Sequence, residues 1–167
     1  REKTEQHFTC RRDIEVIPNF VDTNIYKRNT NEAIKKRFAP NNEKIIMHVS
    51  NFRKVKRVTD VIKIFQEILK KQGAVLLMAG DGPESSEAER MCRELKICGN
   101  VKFLGQQSGL PELLSLADLF LLPSQSESFG LSALEAMSCG APVIGSNIGG
   151  IPEVIEHGET GFVAELG

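Results

Sequence analysis

The chain has 167 residues, 41% of them hydrophobic, with 21 basic against 22 acidic side chains. That suits one packed domain and argues against intrinsic disorder. The net charge of −1 provides no electrostatic footprint for nucleic acid or an anionic membrane, and no run approaches the roughly 18 apolar residues of a membrane span.

Arg1 to Arg12 is polar and charged, with no apolar signal-peptide stretch. The chain opens without Met and stops directly after a strand-like run, so it reads as one domain, residues 1–167, of a longer protein. Cysteines stand at 10, 92, 98 and 139, with no CxxC pair and no histidine cluster beside them. Reduced thiols in a cytoplasmic protein are therefore expected rather than a zinc site. His48 sits inside the apolar run Ile45–Val49 and reads as a packed strand residue.

Strands and helices alternate along the chain. Ile14–Ile17 predicts a short strand, closed by Pro18-Asn19, and Asn31–Phe38 a short polar helix. Lys44–Val49 is an apolar strand of the kind buried in a parallel sheet. Val58–Lys71 carries apolar residues at helical spacing and stops at Gly73. Ala74–Ala79 is a second core strand, ended by Gly80-Asp81-Gly82-Pro83. A charged helix over Glu84–Ile97, a strand over Val101–Leu104, a short helix over Pro111–Leu116 and a strand over Asp118–Leu122 follow. Then come a helix over Gly130–Ser138, a strand over Pro142–Gly145, a helical turn over Pro152–Glu156 and a strand over Gly161–Ala164. Repeated strand–helix units predict an α/β fold with a doubly wound parallel sheet. Ligands of such sheets bind outside the carboxyl ends of the strands. There is no internal repeat, low-complexity tract or second domain.

The segment Pro123–Gly130 runs from a strand end into a helix start. Gly130 lets the backbone approach a ligand closely. The free amides of Phe129, Gly130, Leu131 and Ser132, together with the helix dipole, would form an anion site suited to a diphosphate. Glu127 lies just before this helix and Glu135 within it, so one acid could reach a ribose diol and the other a sugar hydroxyl. Spacing alone leaves a second reading open, a solvated carboxylate pair around a helix N-terminus.

Glu127 and Glu135, followed by Ala136-Met137-Ser138-Cys139-Gly140-Ala141-Pro142-Val143-Ile144, resemble the retaining glycosyltransferases with the GT-B fold (glycosyltransferase family 4). Gly149–Ile155, Gly158–Phe162 and Val16–Asp22 match further blocks of that family in order. The resemblance implies a Rossmann-like half of a GT-B enzyme, its C-terminal nucleotide-sugar-binding domain, with the acceptor domain elsewhere. It implies that Glu127 binds donor-sugar hydroxyls, that Phe129, Gly130 and Leu131 offer amides to the diphosphate or sugar, and that Glu135 binds the ribose. Gly80 and Gly82 would line the nucleotide cleft.

One stretch departs from the pattern. Relatives carry an Arg and a Lys on the diphosphate; aligning Lys56 with that Lys puts Asn51 where the Arg belongs. Arg53, two residues on, would share its face of an extended strand end and substitute for it, with Lys56 as partner and Arg57 in reserve. Such cations stabilise charge developing on a departing diphosphate, which makes Glu127, Arg53 and Lys56 the candidate catalytic set. His48–Val58 and Ile14–Asp22 further resemble the members that join N-acetylglucosamine to L-malate in bacillithiol biosynthesis. That implies UDP-N-acetylglucosamine (UDP-GlcNAc) as donor and L-malate as acceptor, and it leaves a homo-oligomeric full-length enzyme open.

Other classes fit less well. Gly80-Asp81-Gly82 lacks a third glycine at Ser85 and follows the second core strand, unlike a dinucleotide fingerprint. No Gly-Lys-Ser/Thr and no Asp-x-Asp occurs, so neither a P-loop nor a metal-bridged diphosphate is supported; no metal and no cofactor are expected. Another hydroxyl acceptor, such as a lipid or polysaccharide, and a non-catalytic nucleotide-sugar-binding module are the alternatives.

Overall fold

The computed structural model describes residues 15 and 17–166. The expected strand Ile14–Ile17 falls largely outside them; of it only Glu15 and Ile17 are described, neither in a strand. Among the described residues six strands form one sheet: β1 (Lys44–Val49), β2 (Ala74–Ala79), β3 (Val101–Gly105), β4 (Leu119–Leu122), β5 (Val143–Ser146) and β6 (Gly161–Ala164). Every pairing is parallel and the order is β3-β2-β1-β4-β5-β6. This is the expected doubly wound sheet. Its topological switch point lies between β1 and β4, from which the chain winds outward in both directions.

The helices among the described residues are α1 (Glu32–Phe38), α2 (Val58–Leu69), α3 (Ser85–Glu94), α4 (Leu110–Leu114), α5 (Leu131–Ser138) and α6 (Ile151–Val154). Asn31 starts α1 by accepting from the amides of Ala33 and Ile34. Val58, Val61, Ile62 and Phe65 bury one face of α2, as the spacing predicts. Side chains alternate across the strands and separate two cores. Ile45, Met47 and Phe120 pack with α4, α5 and α6 on one face, whereas Ile46, Leu76, Met78 and Leu121 pack with α2 and α3 on the other. Asp118 fastens the start of β4 to β1: its carboxylate accepts from the Ile45 amide at 2.9 Å, and its own amide donates to the Ile45 carbonyl at 2.8 Å.

The helix expected over Glu84–Ile97 is shorter. It ends at Glu94, Lys96 takes a left-handed φ of 57°, and the Ile97 amide donates back to Cys92. The turn drives Ile97 into the α2–α3 core; that burial outweighs the strain of a left-handed lysine, which is of order 1 kcal/mol. No helix among the described residues is long and apolar enough to cross a membrane.

Candidate functional site

Two loops meet above the switch point. The loop after β1 carries a short 3-10 turn, Lys54–Lys56, and the loop after β4 leads into α5. They are joined by the Gln125 amide, which donates to the Val55 carbonyl at 2.7 Å. They are joined again by an ion pair, Lys56 Nζ to Glu127 Oε2 at 2.5 Å, with side chains only 19% and 13% exposed. In that setting the pair is screened far less than a surface pair.

The basic stretch is not the extended strand end expected for Arg53. Phe52 is buried in the α2–α3 core with φ at +32°, and Arg53 begins the 3-10 turn. The alternation that would have placed Asn51 and Arg53 on one face is therefore broken at Phe52. Arg53 is exposed on the same turn as Lys56, and no ion pair engages it among the described residues. Arg57, expected in reserve, sits in the left-handed region at the start of α2 and pairs with Asp60 there.

Gly130 opens α5 with φ at +97°, and the first intrahelical bond runs from the Ala133 amide to the Gly130 carbonyl. The amides of Gly130, Leu131 and Ser132 precede that bond and have no partner within the helix. They sit at the carboxyl edge beside Phe129. Glu135 lies one turn in and half-buried, next to the Tyr26 phenol. Burial raises the Glu135 pKa and the Tyr26 phenol partly offsets the rise. The Tyr26 backbone is held in turn by the Ser138 hydroxyl, which donates to its carbonyl.

Gly80 and Gly82 lie against the loop after β1. A Cβ on Gly80, whose φ is +120°, would stand 1.8 Å from the Ser50 carbonyl oxygen; on Gly82 it would stand 2.2 Å from that of Asn51. Their first role is thus to let two backbones touch. A second glycine pair does the same for the loop after β4. A Cβ on Gly149, at φ +59°, would meet the Glu127 oxygen at 1.8 Å, and on Gly150 the Ser128 oxygen at 2.5 Å. Sequence reasoning recorded Gly149-Gly150 as a family block without giving it a place in the site. The signal was the adjacent glycines just past a strand end. Among the described residues, no cluster of His, Cys, Asp and Glu could hold a metal ion.

Residues 29–167 match the family Glycosyl transferases group 1, and the chain belongs to that family. Among curated proteins, it is similar to N-acetyl-alpha-D-glucosaminyl L-malate synthase of Bacillus anthracis, at 48% identity over 93% of this chain and 41% of that protein. It is also similar to D-inositol 3-phosphate glycosyltransferase of Mycolicibacterium smegmatis, at 32% identity over 95% of this chain and 38% of that protein. The chain thus spans about two-fifths of the length of these relatives. Among solved structures, Anabaena Alr3699/HepE in complex with UDP and glucose superposes with a TM-score of 0.79 at 28% identity, covering 90% of this chain and 43% of that one. The C-terminal domain of a group 1 family protein (LpcC) from Francisella tularensis shares the fold, with a TM-score of 0.74 at 24% identity over 87% of this chain and 80% of that one. The Rossmann-like sheet is accordingly the glycosyltransferase unit that the resemblance to GT-B enzymes called for.

Proposed function

We propose that this chain is the donor-binding half of a retaining glycosyltransferase and takes a UDP-sugar in the crevice between the loops after β1 and β4. The observation that carries the reading is the half-buried Lys56–Glu127 pair near the first amides of α5, which have no partner within the helix. A cation and amides here suit a diphosphate, and an acid suits the hydroxyls of the attached sugar. Lys56 and Arg53 would stabilise charge on the departing diphosphate. Glu127 would hold the donor sugar, the amides of Phe129, Gly130 and Leu131 would bind the diphosphate, and Glu135 would bind the ribose. The two glutamates are binding groups rather than the acid and base of a glycosidase. No step in this scheme requires a metal or cofactor.

For the full-length enzyme we propose UDP-GlcNAc as donor, L-malate as acceptor and a cytoplasmic setting, on the strength of the 48% identity to the Bacillus anthracis enzyme. The weaker likeness to the Mycolicibacterium smegmatis enzyme favours, as a second reading, a different hydroxyl acceptor. Titration calorimetry of the chain with UDP and with uridine tests the donor site. UDP should bind more tightly, and Glu135→Ala should weaken both ligands; an unchanged affinity for both would remove Glu135 from the ribose. Incubating the full-length enzyme with UDP-GlcNAc and L-malate tests the pair of substrates, and product from another acceptor alone would overturn L-malate.

A further inference from the structure

His48 is fully buried at the carboxyl end of β1, where the β1–β4 register stops at Met47 and Phe120. Its ring takes over the bridging of the two strands just beyond that point. Nδ1 lies 2.8 Å from the Leu121 carbonyl oxygen of β4, and Nε2 lies 2.8 Å from Ser50 Oγ. A carbonyl can only accept, so Nδ1 carries the proton and Nε2 is the acceptor. The Ser50 hydroxyl therefore donates to Nε2, and its remaining lone pairs receive the Phe52 amide at 3.3 Å. The bonds run in one direction, from Phe52 to Ser50 to His48 to Leu121. Burial keeps the ring neutral and lowers its pKa to about 4.

This relay ends at the one residue of the loop whose backbone is most improbable. A phenylalanine at φ +32° is strained by about 1–3 kcal/mol, and such strain persists only where the surroundings over-determine it. Here the Phe52 amide is held by Ser50, its carbonyl accepts from the Glu84 amide at 2.9 Å, and its ring is buried. Phe52 reverses the chain so that Arg53–Lys56 forms the turn whose lysine reaches Glu127. A plain core role would need only an apolar side chain at position 48, with no polar group to desolvate. What a histidine adds is a directed link from β4 to the basic turn across the switch point.

We propose that His48 and Ser50 are positioning residues for the donor diphosphate: by holding Phe52 in its left-handed conformation they aim the Arg53–Lys56 turn into the crevice. The inference rests on the donor-site reading above.

The test compares Ser50→Ala with Ser50→Thr, which keeps the hydroxyl. Amide hydrogen exchange reports the relay, and calorimetry with UDP and with uridine reports its consequence. In Ser50→Ala the Phe52 amide should exchange at least about tenfold faster while the β2 amides stay protected. UDP affinity should fall about tenfold and uridine affinity should hold, and Ser50→Thr should restore both readings. If Ser50→Ala unfolds the chain, Ser50→Cys, a weaker acceptor at the same place, is read on the same scale. Should the unaltered chain prefer UDP to uridine and the variant keep that preference in full, the donor site stands and the positioning role is overturned. Should the unaltered chain bind neither ligand, the donor reading falls and the proposal falls with it.

Discussion

The loop after β1 and the loop after β4 meet above the switch point, and each is pinned by a glycine pair from the loop after its outer neighbour. Gly80 and Gly82, beyond β2, press on Ser50 and Asn51; Gly149 and Gly150, beyond β5, press on Glu127 and Ser128. The strain is placed differently. In the first loop it falls on side-chain-bearing residues, Phe52 and Arg57, and is held by the His48–Ser50 relay and by Asp60. In the second it falls on Gly130, which has no Cβ to clash. Cations come from the strained side and acids and amides from the relaxed one. A loop that must present long basic side chains uses side-chain bonds to hold its strained backbone, whereas the loop that presents backbone amides puts its left-handed turn on a glycine and is fastened at its start by the Ser146 hydroxyl, which donates to the Ser124 carbonyl.

That comparison can be broken most severely at the glycines. Gly149→Ala and Gly80→Ala should each destabilise the fold by about 3 kcal/mol, combining left-handed strain with a backbone collision. Gly99→Ala, with open space around the position, should be close to neutral in the same urea titration. Parity among the three variants would remove the clamps from the account.

The acid limb of stability distinguishes the two sides next. The unfolded His48 ring gains its proton near its ordinary pKa of 6.5, but the folded ring not until about 4. Between those values the unfolded state binds more protons, so the folded state loses stability as pH falls, by at most about 1.4 kcal/mol per pH unit. The stability advantage of the unaltered chain over His48→Phe should therefore shrink below pH 6.5, and a pH-independent difference would show that the ring does not stay neutral.

Lys56→Ala should cost about 1 kcal/mol of stability by leaving Glu127 half-buried without its partner. It should also weaken UDP more than uridine. Arg53→Ala, on an exposed residue, should leave stability unchanged and reduce UDP binding less than Lys56→Ala does. Equal losses of UDP and uridine in either variant would move that cation off the diphosphate. The smallest change is expected at Tyr26→Phe. Without the phenol, the Glu135 pKa should rise further, since burial raises it and Tyr26 opposes the rise; carbon-detected NMR titration of Glu135 would show no change if the phenol were not its partner.

Much of the fold was legible beforehand. The strands Lys44–Val49, Ala74–Ala79 and Gly161–Ala164 have the expected bounds, because the first two are continuous apolar runs between turn residues and the third lies between a glycine and the next polar residue. The helix at Val58 was equally plain from its spacing, whereas Ile97 was misplaced because the pull of the core on it is not written into the local pattern. Around the loops after β1 and β4, Lys56, Glu127 and Glu135 were named through the resemblance to GT-B enzymes, and the helix start at Gly130 from the local sequence; the helix start is where it was expected. The extended geometry assumed for Arg53 was not correct, since nothing near Phe52 in the sequence announces a positive φ.

Local sequence therefore determined which segments became strands and helices, and which loops would carry acids, cations and glycines, because propensity and periodicity act over a few residues. Tertiary packing decided who meets whom. Lys56 and Glu127 stand 71 positions apart, His48 and Leu121 73, and Gly149 meets the Glu127 oxygen only once β4 and β5 are paired. Those contacts need the sheet order to bring two distant strand ends to one crevice, and no local pattern encodes that order.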